Sequence, residues 1–450
     1  MAPISVSVKR WLEQISPRPS RSWCAAAATS RSRPIRSVAT PSVRPKSSTS
    51  CACVSCRTHV MISADSHVIE PPDVWTDRLQ GEWGDRAPHV RRDDDGNDWW
   101  YVDGHRTNSF AGGTQTGRRF VEPDALVLAD RFENVREGAY DPDRYVDENL
   151  RDGVIASVLY PTQQMQHYAV RNTALVDATC RAYNAWLAGF CATHPQRLRG
   201  VAMLNVDDID TAASELERAV GQGLAAGLIP VGLPMGRTYA DPAFDRLWAV
   251  AVDVDVPLSL HIGTYRANPD RQKAPVIPGA QSASAKPAQT AFATADHWVR
   301  QALGDIIFSG VFERHPTLRI VSAEHEVGWL PFFVERMDYT YTQRATKGHR
   351  FAAGALPSDF VRRNVWVQFC EDPSAAAVAL SIGSERVLWG SDYPHSEGLF
   401  PRSHEVFADR TAALDPEARQ RIATGNAAAL YAIPASLSAI PASLSGMDIQ

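Results

Sequence analysis

The sequence lacks any long hydrophobic run of the kind that crosses a membrane. Its longest apolar candidates, such as Ala375–Ile382, fall well short of the roughly 18 residues that a transmembrane helix requires. It also lacks a basic excess, because 46 Lys and Arg residues stand against 51 Asp and Glu residues. Membranes and nucleic acids are therefore poor candidates for its main partner, and a small-molecule substrate is favoured.

Cysteine is scarce, at 7 of 450 residues, and four of the seven lie within the first 60 residues. An odd, dispersed set is poor evidence for a disulfide framework and favours a reducing, cytoplasmic location. The cluster Cys51-Ala-Cys-Val-Ser-Cys56 could suggest a metal site. No Cys or His pair follows it at the spacing of a zinc ribbon, so we disfavour a structural zinc there.

The two ends of the chain have compositions that do not build a core. Residues 1–60 are rich in Ser, Arg and Pro and nearly free of acidic residues, which predicts a disordered N-terminal extension. A transit peptide is one interpretation. We favour a translation start at Met61, because the first predicted strand begins there. A repeat of Ile-Pro-Ala-Ser-Leu-Ser at the other end predicts that residues 435–450 form a flexible tail.

Between these ends, short apolar runs rich in β-branched residues alternate with helical patterns. The eight candidate strands are residues 60–63, 155–160, 200–204, 226–230, 257–261, 319–323, 365–368 and 386–390. The helical patterns are residues 171–193, 208–222, 242–253, 293–314, 329–347 and 373–382. This alternation predicts an α/β fold, a (β/α)8 TIM barrel over residues 61–434. An open doubly wound sheet is the alternative, weakened because no strand is followed by a Gly-rich dinucleotide fingerprint.

A long insertion, residues 71–147, follows the first predicted strand. It is polar and aromatic, with Trp99-Trp100-Tyr101 near its middle. A segment placed after a barrel strand lies at the C-terminal face, where barrel enzymes build their active sites. We predict a cap or a substrate-facing subdomain, with a structural flap or a subunit contact as the alternative. We also expect a homo-oligomer, in the form of a dimer.

Ligand-type side chains fall at the ends of three predicted strands. Asp65 and His67 end the first strand and point to the same side, because they are two residues apart in extended chain. His261 ends the fifth strand, and Asp392 follows the eighth. Each alone is weak, since such residues more often form hydrogen bonds in loops or cap helices. Their coincidence at one rim of the barrel predicts a site for one divalent metal ion.

The ligand types narrow the choice of metal only partly. Mixed His and carboxylate ligands suit Zn²⁺, Mn²⁺ or Fe²⁺, and we place zinc slightly ahead.

These motifs resemble those of the amidohydrolase superfamily, in the branch that contains aminocarboxymuconate-semialdehyde decarboxylase and the hydroxybenzoate decarboxylases. The resemblance covers residues 61–434. It rests on Asp65-Ser-His-Val-Ile-Glu-Pro71, His261, Ala323-Glu-His-Glu-Val-Gly-Trp-Leu-Pro331 and Gly390-Ser-Asp-Tyr-Pro-His395. It implies that the metal ligands are Asp65, His67, His261 and Asp392. It also implies one metal ion, because two-metal members of the family use a strand-four Lys as a bridge and strand four here ends in Leu228-Ile-Pro230.

Two positions depart from the pattern of that branch. The first ligand there is usually His or Glu, and Asp65 is one methylene shorter than Glu. After strand six, many relatives carry a catalytic His and others a Glu, whereas this chain has Glu324-His-Glu326. Either Glu324 or His325 could face the metal as a catalytic residue beside Asp392, or could instead cap a helix.

Other polar residues are candidates for supporting roles. The arginines that could bind a substrate carboxylate are Arg266, Arg118 and Arg119. Each could equally be an ordinary solvated arginine. The residues that could orient a ligand from behind are Glu70, His297 and His395. Glu70 could instead cap the turn that follows it.

The resemblance implies a metal-dependent carboxy-lyase, a non-oxidative decarboxylase of a small aromatic or unsaturated carboxylic acid. In such an enzyme Asp392 or the strand-six residue would protonate the ring carbon before CO₂ leaves. The first alternative is a hydrolase of an amide, lactone or C–C bond, in which Asp392 takes a proton from metal-activated water. The second is a non-catalytic protein on a decayed barrel, which intact ligand types on three strands disfavour.

Overall fold

The computed structural model describes residues 60–267, 290, 293–344 and 348–438. Of the predicted extension only Val60 falls within these ranges, and of the predicted tail only residues 435–438, which form a 3-10 turn. The expectations for the remainder of both ends lie outside the described residues. Within the described ranges, every helix is too short or too polar to span a bilayer.

Eight parallel strands form one nearly closed sheet, each hydrogen-bonded to the next in chain order. They are β1 (Met61–His67), β5 (Val154–Tyr160), β6 (Leu198–Met203), β7 (Ala226–Gly232), β8 (Leu258–Tyr265), β9 (Ile320–Ala323), β10 (Val365–Phe369) and β11 (Val387–Trp389). The backbone N–H groups of Ser391 and Asp392 donate to the Asp65 carbonyl at 3.1 and 2.9 Å, which brings the last strand against the first. The predicted (β/α)8 barrel is confirmed.

Helices cover the outside of this barrel. They are α3 (Pro142–Arg151), α5 (Thr173–Ala192), α6 (Ile209–Gly221), α7 (Asp245–Asp253), α8 (Asp296–Phe308), α9 (Val311–Arg314), α10 (Leu330–Gln343), α11 (Pro357–Asn364), α12 (Ala375–Ile382), α13 (Ser403–Arg410), α14 (Pro416–Gln420) and α15 (Asn426–Leu430). The predicted helix 293–314 is two helices, because Gly310, with a φ of +74°, interrupts it. The α6 helix shows why these segments are helical. Asp208 accepts the backbone N–H of Thr211 at its start, and its buried residues share one face.

The insertion is a small subdomain with its own sheet. It contains α1 (Asp73–Trp83), α2 (Ala111–Thr114) and an antiparallel sheet of β2 (His89–Arg92), β3 (Asp98–Val102) and β4 (His105–Ser109). A short helix, α4 (Gln163–Gln166), follows β5. The predicted boundary at residue 147 falls inside α3, which packs beside β5, so the insertion ends before Pro142.

Contacts from the insertion reach the loops that follow β10 and β11. The guanidinium of Arg119 donates to both carboxylate oxygens of Glu371, at 3.0 and 3.2 Å, and to the Gly398 carbonyl at 3.2 Å. The Thr116 hydroxyl donates to the carbonyl of Pro394. The insertion therefore lies against the C-terminal rim, as a cap would.

Candidate metal centre

Four ligand atoms converge at the C-terminal end of the barrel. One atom each from Asp65, His67, His261 and Glu324 lies within 4.8 Å of the other three. Asp65 Oδ1 is 3.5 Å from the Nε2 atoms of both histidines, and His261 Nε2 is 3.4 Å from Glu324 Oε2. Two atoms held about 2.1 Å from one ion at a tetrahedral angle lie about 3.4 Å apart. The observed separations fit that arrangement.

The hydrogen bonds of the two histidines fix which nitrogen faces the cluster. His67 Nδ1 lies 2.9 Å from the carbonyl of Pro161, and His261 Nδ1 lies 2.9 Å from the carbonyl of Ile262. A carbonyl oxygen only accepts, so each Nδ1 carries the proton and donates it. In its neutral form each ring then presents the lone pair of Nε2 to the cluster, as a metal-binding histidine does.

The atoms at the centre of the cluster lack hydrogen-bond partners. Both carboxylate oxygens of Asp65 and the Nε2 atoms of His67 and His261 are buried and unpaired within the described residues. Buried polar atoms are almost always paired, so several unpaired atoms at one point require an explanation. A divalent cation provides one, since it would bind all of these atoms at once. The residues present therefore fit the metal ion that the sequence leads us to expect.

Strand β1 is irregular where it delivers these ligands. Its register with β5 shifts between Ser63 and Ser66, which is the signature of a bulge.

Burial alone would raise the pKa of the Asp65 carboxyl, but the adjacent His261 and His67 outweigh burial and lower it. Asp65 is therefore ionised and available as a ligand.

Glu324 reaches the cluster from the turn after β9. Its φ of +58° is unusual for a residue with a side chain, and such strain persists mainly at functional sites. Its side chain keeps 27% of its surface exposed, whereas Asp65 and His261 are fully buried. Burial and the negative charges of Asp392 and Asp65 raise the pKa of Glu324 well above its ordinary value.

His325, the other strand-six candidate, stays outside the group of four ligand atoms. Its Nδ1 lies 3.1 Å from the Ser322 hydroxyl, and its buried Nε2 has no partner within the described residues. Burial lowers its pKa to about 3, so it is neutral. Of the two candidates, Glu324 is therefore the one whose side chain reaches the ligand atoms.

Asp392 lies beside the cluster and is held by His395. Its Oδ1 is 3.4 Å from His67 Nε2 and accepts a hydrogen bond of 2.8 Å from His395 Nδ1. The Nε2 of His395 is 2.8 Å from the Thr162 hydroxyl, and its ring stacks on that of His67 at 4.0 Å between centroids. Burial opposes the charge of His395, but Asp392 outweighs burial and raises its pKa to about 9. His395 therefore lies between Asp392 and Thr162, and its role in orienting a ligand stays a prediction.

Glu70 is buried and caps the turn after β5. Its carboxylate accepts the backbone N–H groups of Thr162, Gln163 and Gln164 at 3.2, 2.8 and 3.1 Å. Glu70 therefore caps a turn, which was the alternative considered for it, but this turn follows β5 and is distant from Glu70 in sequence. Through Thr162, the cap also fixes the residue that contacts His395.

Two predicted site residues lie elsewhere. Arg266 is buried, and its guanidinium is engaged by the Asp207 carboxylate and by the carbonyls of Tyr168 and Val170. It is a structural ion pair out of reach of a substrate, which corrects the predicted substrate-binding role. His297 is exposed on α8, where its ring packs edge-on against Trp298. It belongs to the outer helix layer, so its predicted role behind a ligand is also corrected.

The two arginines of the insertion differ from each other. Arg119 is committed to Glu371 on the rim, and Arg118 is exposed with Glu122 at 3.5 Å. Neither is placed against the ligand atoms, so substrate binding by either one stays a prediction.

Sequence reasoning missed two residues that shape the site. Thr162 contacts His395, which in turn contacts Asp392. The sequence signal for Thr162 was its position just after a barrel strand. Gly390 is needed because a Cβ there would lie 2.6 Å from the Cβ of Asp65 and 2.2 Å from Gln368 Nε2. Its motif was visible in the sequence, but the close approach of the last strand to the first was not.

Comparison with solved structures identifies the same barrel in other proteins. An amidohydrolase from Mycobacterium avium subsp. paratuberculosis K-10 matches with a TM-score of 0.66 and 19% identity, over 84% of this chain and 99% of that one. A dihydroxybenzoic acid decarboxylase from Polaromonas sp. JS666, solved with bound manganese and the inhibitor 2-nitroresorcinol, matches with a TM-score of 0.53 and 20% identity, over 72% and 96% of the two chains. At these identities the likeness establishes the fold.

Sequence comparison adds the family. A gamma-resorcylate decarboxylase from Rhodococcus jostii (strain RHA1) is 29% identical over 300 residues, which span 64% of this chain and 85% of that protein. The profile of the amidohydrolase family matches residues 124–433, which is more than half of the chain and includes β8, β9 and β11. The chain therefore belongs to the amidohydrolase family.

Proposed function

We propose that this protein is a metal-dependent, non-oxidative decarboxylase of a small aromatic carboxylic acid. The observation that carries the proposal is the cluster of unpaired ligand atoms from Asp65, His67 and His261 at the rim of the barrel. A relative that acts as a gamma-resorcylate decarboxylase supports the choice of reaction.

Asp65, His67 and His261 would hold the metal ion, with Glu324 and Asp392 as the adjacent carboxylates. A bound divalent ion supplies positive charge that attracts the carboxylate of an aromatic acid and polarises its oxygens. We propose manganese first, because the decarboxylase from Polaromonas is described with bound manganese. The zinc expected from the sequence is the alternative, since His and carboxylate ligands accept both ions.

Decarboxylation without an oxidant needs one proton. The ring carbon that bears the carboxylate gains a C–H bond, and the electron pair of the broken C–C bond returns to the ring as CO₂ leaves. Asp392 is the proposed donor of that proton, because it lies beside His67 and is hydrogen-bonded to His395. The proton that His395 Nδ1 shares with Asp392 Oδ1 would pass to the carboxylate and from there to the ring carbon, which leaves His395 neutral. General acid catalysis of this kind contributes about 10²–10⁴ to the rate.

The test is an assay of the full chain loaded with Mn²⁺ or Zn²⁺. Dihydroxybenzoates and related aromatic acids are supplied, and both CO₂ and the decarboxylated product are measured, with lactones and amides in parallel. We expect CO₂ and product in equal amounts, and a loss of both in Asp392→Asn. Hydrolysis of lactones or amides without CO₂ release would replace this proposal with the hydrolase alternative. Inactivity towards every substrate by a chain that binds no metal would favour the non-catalytic alternative.

Three further expectations stay proposals beside the proposed reaction. They are a dimer, a cytoplasmic location and the absence of a nucleic-acid partner. Light scattering of the purified chain tests the first, because a dimer doubles the mass of 49.4 kDa.

A further inference from the structure

The barrel closes at a seam, the junction between β11 and β1. The strands pair in a row from β1 to β11, and within the described residues no ladder of hydrogen bonds joins β11 back to β1. Single contacts of the loop after β11 close the seam instead. The backbone N–H groups of Ser391 and Asp392 donate to the Asp65 carbonyl at 3.1 and 2.9 Å, and that of His67 donates to the Tyr393 carbonyl at 2.6 Å. Asp65 and Asp392 therefore lie on the two sides of a junction that no ladder aligns.

Three buried serines meet at this seam, and each is at most 1% exposed. Ser63 and Ser66 belong to β1, and Ser391 follows β11. The Oγ atom of Ser63 lies 2.8 Å from that of Ser66 and 3.1 Å from that of Ser391, and the last two are also 3.1 Å apart. Residues three apart in a regular strand point to opposite faces, so the bulge in β1 is what brings Ser63 and Ser66 together.

The hydroxyl of Ser63 joins the two sides of the seam. It donates to the Asp65 carbonyl at 2.7 Å, within its own strand. It accepts the Ser66 hydroxyl at 2.8 Å and, from across the seam, the backbone N–H of Ser391 at 2.9 Å. A hydroxyl has one proton and two lone pairs, so these three bonds use its full capacity. Because a fully satisfied buried network favours one arrangement, Ser63 fixes Ser391 relative to Asp65.

Asp392 depends on this arrangement because its backbone is strained. Its φ is +53°, a conformation that persists in a residue with a side chain only where the surroundings enforce it. The residues on both sides of Asp392 are tied to the serines, since Ser391 donates its N–H to Ser63 and the N–H of Tyr393 donates to Ser391 Oγ at 3.3 Å. The N–H of Asp392 itself donates to the same Asp65 carbonyl that Ser63 contacts.

We infer that Ser63 is a positioning residue, which sets the place of Asp392 relative to Asp65 from outside the group of ligand atoms. The inference rests on the proposed function and adds a residue behind its two aspartates. Without the Ser63 hydroxyl, the Asp65 carbonyl and the Ser391 N–H each lose a partner, and the seam is free to shift. Ser66 has a smaller part, because in its absence Ser391 Oγ can still donate to Ser63 at 3.1 Å.

Metal affinity tests the role of Ser63 without reference to turnover. Mn²⁺ is titrated into the metal-free full chain by calorimetry, and electron paramagnetic resonance of the bound ion reports the geometry of its ligands. The variants are Ser63→Ala and Ser63→Cys, whose thiol is only a weak donor, each checked for folding by circular dichroism. Ser66→Ala is the control within the cluster. Ser384→Ala is the control for lost stability, since Ser384 is a buried serine just before β11 whose hydroxyl accepts a hydrogen bond from Arg421 at 2.8 Å.

We expect the Ser63 variants to bind Mn²⁺ at least about 10-fold more weakly, as for a lost supporting partner, and to change the spectrum of the bound ion. Ser66→Ala and Ser384→Ala should keep the affinity and spectrum of the wild type. Wild-type affinity and spectrum in a folded Ser63 variant, an equal loss in Ser384→Ala, or failure of both Ser63 variants to fold would overturn the inference. CO₂ release by the wild type tests the proposed function separately, because the titrations contain no substrate. A wild-type chain that binds no Mn²⁺ removes both.

Discussion

The Nε2 atom of His261 lies 3.5 Å from Oδ1 of Asp65, although the two residues come from the fifth and the first strands of the barrel. Both side chains are fully buried, and neither atom has a hydrogen-bond partner within the described residues. Because Nδ1 of His261 donates to a carbonyl, Nε2 of the neutral ring is an acceptor that faces another acceptor. Two acceptors at this distance are stable only with a proton or a cation between them.

Removing His261 should therefore weaken metal binding. In His261→Ala the cluster loses one nitrogen ligand, so we expect Mn²⁺ affinity to fall by at least about 10-fold and CO₂ release to fall with it. Metal analysis and calorimetry of the purified variant measure the effect. His297→Ala is the matched control, since His297 is exposed on α8. A His261 variant that still binds one ion with wild-type affinity would refute the site.

Removing Arg266 should destabilise the fold rather than remove a substrate contact. Arg266→Ala removes the closest cationic partner of Asp207, which keeps only Arg237 at 3.7 Å and the Thr173 hydroxyl at 2.8 Å, and it frees the carbonyls of Tyr168 and Val170. Breaking a buried ion pair on one side costs about 3–5 kcal/mol of unfolding free energy. Urea denaturation measures this, with the exposed Arg118→Ala as a control expected within about 0.5 kcal/mol of wild type. A stable Arg266→Ala variant with a raised KM would restore the substrate-binding role.

A methyl group at residue 390 should displace Asp65 and so disturb the metal site. The Cβ of Gly390→Ala would lie 2.6 Å from the Cβ of Asp65, too close for both to keep their positions. We expect Asp65 to shift, and Mn²⁺ affinity to fall by at least about 10-fold, as for a lost supporting partner. Gly221→Ala is the control, because the space around Gly221 is open. Unchanged affinity in Gly390→Ala would mean that the last strand can move away from the first.

The Asp152 carboxyl, which lies away from the metal site, should stabilise the fold at low pH and lose this effect as pH rises. Burial raises the pKa of Asp152 to about 7, even though Ser403 donates its backbone N–H to the carboxylate at 3.2 Å. The folded chain then keeps a proton that the unfolded chain, with an aspartate pKa of about 3.9, has already lost. The contribution is complete below about pH 4 and is lost as pH rises through about 7.

Asp152→Asn removes this titration. The difference in unfolding free energy between wild type and variant should change by up to about 1.4 kcal/mol per pH unit between pH 4 and 7, and should level off above. Urea denaturation at several pH values measures it, with the exposed Asp143→Asn as a control. Parallel pH profiles for wild type and Asp152→Asn would show that Asp152 titrates normally in the folded chain.

Much of the fold could be read from the sequence because barrel strands carry a strong local signal. All eight strands were predicted within a few residues, since each contains a short buried apolar run and most are separated by helical patterns. The antiparallel sheet of the insertion was missed. Its strands β2 and β4 are polar and partly exposed, so they lack the hydrophobic alternation that predicts a strand.

The candidate site also combines features that the sequence predicts with features that only the structure shows. The sequence by itself determined that Asp65, His67, His261 and Asp392 stand at strand ends, and barrel topology brings all strand ends to one rim. Only the tertiary structure decided which side chains meet. Arg266 and Glu324 both follow barrel strands, yet one is buried against Asp207 and the other reaches His261. The reason is that rim position follows from chain order, whereas a side chain's direction depends on backbone angles and on partners distant in sequence.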